Sequence, residues 1–173
     1  MFIGILVVDV FPIMLISIFL YAAFVGISRT KNLRFSQHFF RYAFLAYILT
    51  LVGLTIFWGG ISIETDYHLL NLRPFVWVKE TYSMGFVKMI KQIVGNVFMF
   101  VPYGFLLPVV FKKMQSFGKT FLIVFLSSFL IEFVQYFIGR SCDVDDLIMN
   151  TIGGCIGYGV FFFCNSLKRD KIK

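Results

Sequence analysis

Charge is what this chain has least of. Only 14% of its 173 residues are Asp, Glu, Lys or Arg, while 59% are apolar, 20% are aromatic and the mean hydropathy is +0.86. Soluble domains carry about a quarter charged residues, so a soluble protein is excluded and an integral membrane protein is indicated. At about 20 residues per span, the length leaves room for roughly five spans and no separate soluble domain. Cysteine is scarce too. Cys142, Cys155 and Cys164 make an odd count without metal-type spacing, which argues against a disulfide framework and a cysteine metal site. The chain has no nucleophile elbow, P-loop, dinucleotide fingerprint or H-E-x-x-H motif, so those enzyme classes find no support. Its two histidines, His38 and His68, read as isolated loop residues and are left out of any site.

What is present is a series of apolar runs. The first, Ile3 to Ile27, is too long for a signal-peptide core and has no basic leader or small-residue cleavage pattern, so it is expected to stay as a span. The others run from about Phe39 to Gly60, Gln92 to Phe111, Thr120 to Ile138 and Asp146 to Cys164. The third contains Pro102 and Pro108 and should kink. Before it, Phe86, Met89, Ile90 and Ile93 lie at helical spacing, either as an interfacial helix or as a plain lead-in to the span.

The net charge of +7 is placed for topology and not for nucleic acid. Eleven of the 16 basic residues fall in the loop of Arg29 to Arg41, the loop of Lys112 to Lys119 and the tail, which together hold one acid, Asp170. The positive-inside rule then predicts an all-α polytopic bundle of about five transmembrane helices, N-terminus outside and C-terminus inside, with residues 1–173 as one membrane domain.

In this topology, polar groups of different helices converge in the external half of the membrane. Asn96 enters the third span about five residues from its outer end, near the level of Asp9 on the first. Glu132 and Gln135 lie at i, i+3 on the fourth, and Arg140, Asp143, Asp146 and Asn150 line the turn and the head of the fifth. Gly153 and Gly157 form a G-x-x-x-G pair that Gly154 widens, which allows close helix packing. The carboxylates admit three kinds of chemistry. Glu132 could act as a general acid beside ionised Asp143 or Asp146. The oxygens could take Mg²⁺ or Ca²⁺, although nothing in the sequence requires a cofactor. Arg140, Gln135 and Asn150 could grip a phosphate or sugar head group. The plainer reading is interhelical hydrogen bonding, with Asp143 and Asp146 capping the last helix. For Glu132 function is preferred, because Gln would supply the same packing contact without burying an ionisable group. Asp145 reads as solvated.

GNVFMFVPYGFLLP and IEFVQYFIGRSCDVDDLIMNTIGGCIGYG, with NLRPF at Asn71 to Phe75, resemble the signature of the VanZ-like family over about residues 71–159. The first two spans match less distinctively. The resemblance implies a multi-pass protein of the bacterial cytoplasmic membrane, from a family named for a member that lowers susceptibility to teicoplanin-type lipoglycopeptides. It carries over Asn96, Glu132, Gln135, Arg140, Asp143, Asp146, Asn150 and the glycines, and it supplies a phenotype and not a reaction. The expected ligand is an amphiphile, either a lipoglycopeptide or a lipid-linked wall precursor. The alternative is a membrane enzyme using Glu132 and Asp143 or Asp146, and self-association is left open.

Overall fold

Long apolar stretches without charge leave the backbone no hydrogen-bond partner in a bilayer except itself, so they fold as helices. The computed structural model describes residues 11–27, 33–57, 67–76 and 85–170. Its helices are α1 (Phe11–Ile27), α2 (Phe35–Val52), α3 (Phe86–Val110), α4 (Phe117–Phe137) and α5 (Val144–Asp170). Among the described residues, four apolar segments are long enough to cross a membrane: Phe35–Phe57, Met89–Val110, Phe117–Phe137 and Val144–Lys168. The protein is a multi-pass, all-α membrane protein. Asp9, placed near the level of Asn96 by the sequence, lies outside the described residues, as does the first third of the expected first span.

Helix boundaries shift from those expected in ways that matter. α2 begins at Phe35, where Gln37 Oε1 accepts the Arg34 amide at 3.0 Å, so Arg41 and His38 are helical rather than loop residues. His38 is not alone either, because its Nδ1 and the Tyr21 hydroxyl lie 2.8 Å apart and join α1 to α2. His68, in a short 3₁₀ turn, also has a partner. After Val52, α2 widens into a π-turn over Gly53–Phe57. α3 starts at Phe86 and runs unbroken through Pro102 and Pro108, so Phe86 to Ile93 lead into the span and do not form a separate interfacial helix.

The core lies between α2, α3 and α4. Phe100 and Val124 are fully enclosed, with Leu51, Tyr103, Leu107 and Ile131 around them. Tyr47 donates its hydroxyl to the Met99 carbonyl, and the Tyr103 hydroxyl meets Ser127 Oγ at 2.9 Å, so both buried phenols are satisfied. α3 and α5 share the largest interface. Their approach is set by glycine: a Cβ on Gly153 would stand 2.2 Å from the Val97 carbonyl oxygen, and one on Gly157 would stand 2.0 Å from that of Val101. Gly104 of α3 meets the Gly154 backbone in the same way. Without a hydrophobic force between helices in lipid, such backbone contact is a main source of packing energy.

Candidate functional site

α4 and α5 are joined by a short turn. Gly139 takes a positive φ of 74° after α4, and the chain then passes through a two-residue strand, β2 (Cys142–Asp143), into α5. Cys142 and Asp143 pair in parallel with β1 (Leu70–Asn71), the only strand pair among the described residues. This pairing brings the distant NLRPF segment onto the head of α5. Asn71 Nδ2 donates to Asp143 Oδ2 at 3.1 Å, and the Phe75 amide donates to Asp145 Oδ1 at 2.6 Å. Phe75 is held at a φ of 65°, a left-handed geometry that costs a non-glycine residue about 1–2 kcal/mol. The Asp145 bond helps offset that cost.

Asp145 is therefore not solvated, as its sequence context suggested. It is 6% exposed and is the anchor of the NLRPF strap. Its position in the first turn of α5 favours a negative charge there through the helix dipole. Asp143 caps the same helix, its Oδ1 accepting the Asp145 amide at 2.8 Å. The Asp143 amide in turn donates to Glu132 Oε2 at 3.0 Å, so the buried Glu132 of α4 holds the backbone at the cap.

In the same first turn of α5, Asp146 accepts from Asn96 Nδ2 at 2.5 Å and from the Gln92 side chain, tying α3 to α5. Asn150 lies a turn deeper, 3% exposed, with its Nδ2 donating to Ser128 Oγ at 3.0 Å and its Oδ1 unpartnered. Gln135 and Arg140 turn the other way. Both donate to the Thr55 carbonyl at the π-turn of α2, at 2.9 Å and 2.5 Å.

The structure thus divides the expected pocket. Glu132, Asp143, Asp145, Asp146 and Asn96 gather with Asn71 where α3, α4, α5 and the strap meet. Gln135 and Arg140 clamp the end of α2, although Arg140 still lies near enough to act on the charge of Glu132. Asn150 sits below, between α4 and α5. No group of three or more Asp, Glu, His or Cys among the described residues is arranged to hold a metal ion.

A model of the VanZ/LLP1 family matches residues 39–165. Protein VanZ of Enterococcus faecium is 32% identical over 130 residues, covering 72% of this chain and 74% of that protein. The chain belongs to the VanZ/LLP1 family. The match takes in α2 as well as the motif region, so this VanZ-like protein resembles its family from residue 39 and not only from about residue 71. No solved structure matches it.

Several residues that build the VanZ-like site escaped the sequence reading. Asn71 and Phe75 entered only as the ends of the NLRPF element of the family resemblance, and Gln92, Ser128 and Thr55 were not singled out. A usable sign existed for the first two. Asp143 and Asp145 alternate, as they would in a strand entering a helix, and such acids at a helix start commonly bind backbone amides. Nothing in the sequence pointed to the Thr55 carbonyl, which lies in the π-turn that follows α2.

Proposed function

We propose that this VanZ-like protein binds the polar head of an amphiphilic envelope ligand, a teicoplanin-type lipoglycopeptide or a lipid-linked wall precursor, at the carboxylate end of its bundle. In this proposal that end faces the outer leaflet, and binding there lowers susceptibility to the antibiotic. The observation that carries the reading is a concentration of carboxylates. Among the described residues, Glu132, Asp143 and Asp146 lie within electrostatic reach of one another, and Arg140 is the cation acting on Glu132. Glu132 and Asp145 are nearly enclosed. Packing alone is a poor reason to collect acids at a membrane face, since ionisable groups there are costly. A head group bearing hydroxyls or an ammonium would meet a set of acceptors already oriented by backbone bonds.

The family relationship supports the phenotype in this proposal, and the geometry supports the place. A second reading has one observation in its favour: Glu132 is fixed by the Asp143 amide, and a positioned carboxyl is what proton transfer requires. That reading is a membrane enzyme acting on a lipid or wall precursor.

The test is the teicoplanin susceptibility of a sensitive Gram-positive host expressing wild type, Glu132→Gln or Asp146→Asn, with vancomycin as comparison and membrane levels measured by blot. Selective protection by wild type, reduced but present in equally abundant variants, is the result expected for binding. Complete loss in both variants favours the enzyme. Full protection by both variants, or none by wild type, would refute the proposal.

A further inference from the structure

The opposite end of the bundle carries features that the proposed function does not use. Two cavities adjoin there. One, of about 560 Å³, is lined by Ser36, Gln37 and Arg41 of α2 and by Lys112 and Lys113 just after α3. The other, of about 430 Å³, is lined by Leu20 and Phe24 of α1, Phe44 and Ile48 of α2, and Val110 and Phe111. Arg41, Val110 and Phe111 belong to both. Each volume lies within the roughly 300–1,000 Å³ typical of small-molecule sites.

The first cavity sets three cations, a hydroxyl and an amide against an apolar wall that includes Phe40, Val109 and Met114, and among the described residues no Asp or Glu lines either cavity. The second is walled by aliphatic and aromatic side chains. Arg41 lines both cavities, so its position inside α2 puts a cation where they adjoin. The floor is fixed. The Lys112–Met114 turn is followed by Gln115, whose Nε2 donates to the Pro108 carbonyl at 3.2 Å, while Thr120 Oγ1 donates to the Met114 carbonyl at 2.6 Å.

We infer that this end is a second binding site, taking the phosphate head of an anionic phospholipid among Arg41, Lys112 and Lys113 and one of its chains in the adjoining apolar slot. Guanidinium and ammonium groups together are suited to phosphate, the guanidinium by its planar fork and the ammonium as a point charge. Basic pockets between transmembrane helices are a recognised mode of anionic-lipid binding. Topological sorting of Lys and Arg explains their presence at this end of the molecule. It does not explain why three of them share one cavity that adjoins a second, apolar one. A free phosphate would use the cations and leave that space without a role, so the occupant is a lipid.

The experiment titrates the purified full-length protein, in phosphatidylcholine nanodiscs, with phosphatidylglycerol, reading bound lipid by native mass spectrometry. Glycerol 3-phosphate serves as the free head group. Phosphatidylglycerol should bind saturably and in preference to phosphatidylcholine. Arg41→Gln should weaken it about fivefold and Lys112→Gln with Lys113→Gln more, at about one such factor per cation lost. Arg at positions 112 and 113 should restore binding. Ile48→Trp, which fills the slot, should reduce lipid binding and spare the weak binding of glycerol 3-phosphate. Lys168→Gln removes an exposed charge that lines neither cavity and should change nothing. Equal losses in Lys168→Gln and Arg41→Gln would reduce the effect to diffuse surface charge and overturn the inference. So would equal affinity for phosphatidylcholine, or binding of glycerol 3-phosphate as tight as that of the lipid.

Discussion

Gly157→Ala adds one methyl group at the place where α5 touches the backbone of α3. That methyl carbon would stand 2.0 Å from the Val101 carbonyl oxygen and 2.8 Å from the Phe105 amide nitrogen, whereas ordinary contacts begin at 3.4 Å, so the helices must part locally by roughly 1.4 Å. The obstructing atoms are backbone, so no side-chain rotation can relieve the clash. Parting there also loosens the neighbouring Gly153–Val97 and Gly104–Gly154 contacts, which are equally close. Overpacking of this kind costs about 1–3 kcal/mol. Gly159→Ala, two residues on in the same helix, is the matched control because nothing lies within 4 Å of its added Cβ. It should gain up to about 1 kcal/mol from helix propensity. Gly157→Ala carries the same propensity gain, which cancels between the two, so the variants should differ by the overpacking cost of about 1–3 kcal/mol. Unfolding in mixed micelles with increasing sodium dodecyl sulfate, followed by circular dichroism, measures that gap. Equal unfolding midpoints for the two variants would refute the close α3–α5 packing.

Other residues give independent tests. Phe75→Gly should stabilise the protein by about 1 kcal/mol in the same assay, because glycine takes the left-handed geometry without cost. Asp145→Ala removes the acceptor of the Phe75 amide and should cost about 1–3 kcal/mol, and it should raise protease cleavage near residue 75. An unchanged cleavage pattern would count against the strap. Asn150→Leu combined with Ser128→Ala replaces both members of a buried polar pair and should be much less destabilising than Asn150→Ala alone, which leaves a cavity beside the Ser128 hydroxyl; the reverse order would show that the pair is more than a packing contact. Burial pushes the Cys142 thiol up from its ordinary value, and the charges of Glu132 and Asp143 add to the effect. A raised thiol pKa means less thiolate at neutral pH, so in a chain whose other cysteines are Ala, maleimide labelling of Cys142 should be slow near pH 7 and accelerate above the usual thiol range. Glu132→Gln should move that profile to lower pH. The same reporter tests orientation: an impermeant maleimide should reach Cys142 from outside intact cells, and labelling only after permeabilisation would invert the topology.

The sequence by itself determined the solvent and the architecture. Uncharged apolar runs have one stable form in a bilayer, and their number and length follow from its thickness. It also marked Glu132, Asp143, Asp146 and Asn96, because acids and amides stand out against such a background. Tertiary structure decided what each of them touches. Gln135 is one turn from Glu132 in sequence, yet it serves the Thr55 carbonyl, which helix packing brings to it from the π-turn that follows α2. Asp145 read as solvated because strand and helix periodicity see only its own segment. Its burial comes from a strap whose Phe75 lies 70 residues away, and contacts at such separation are settled when the chain packs.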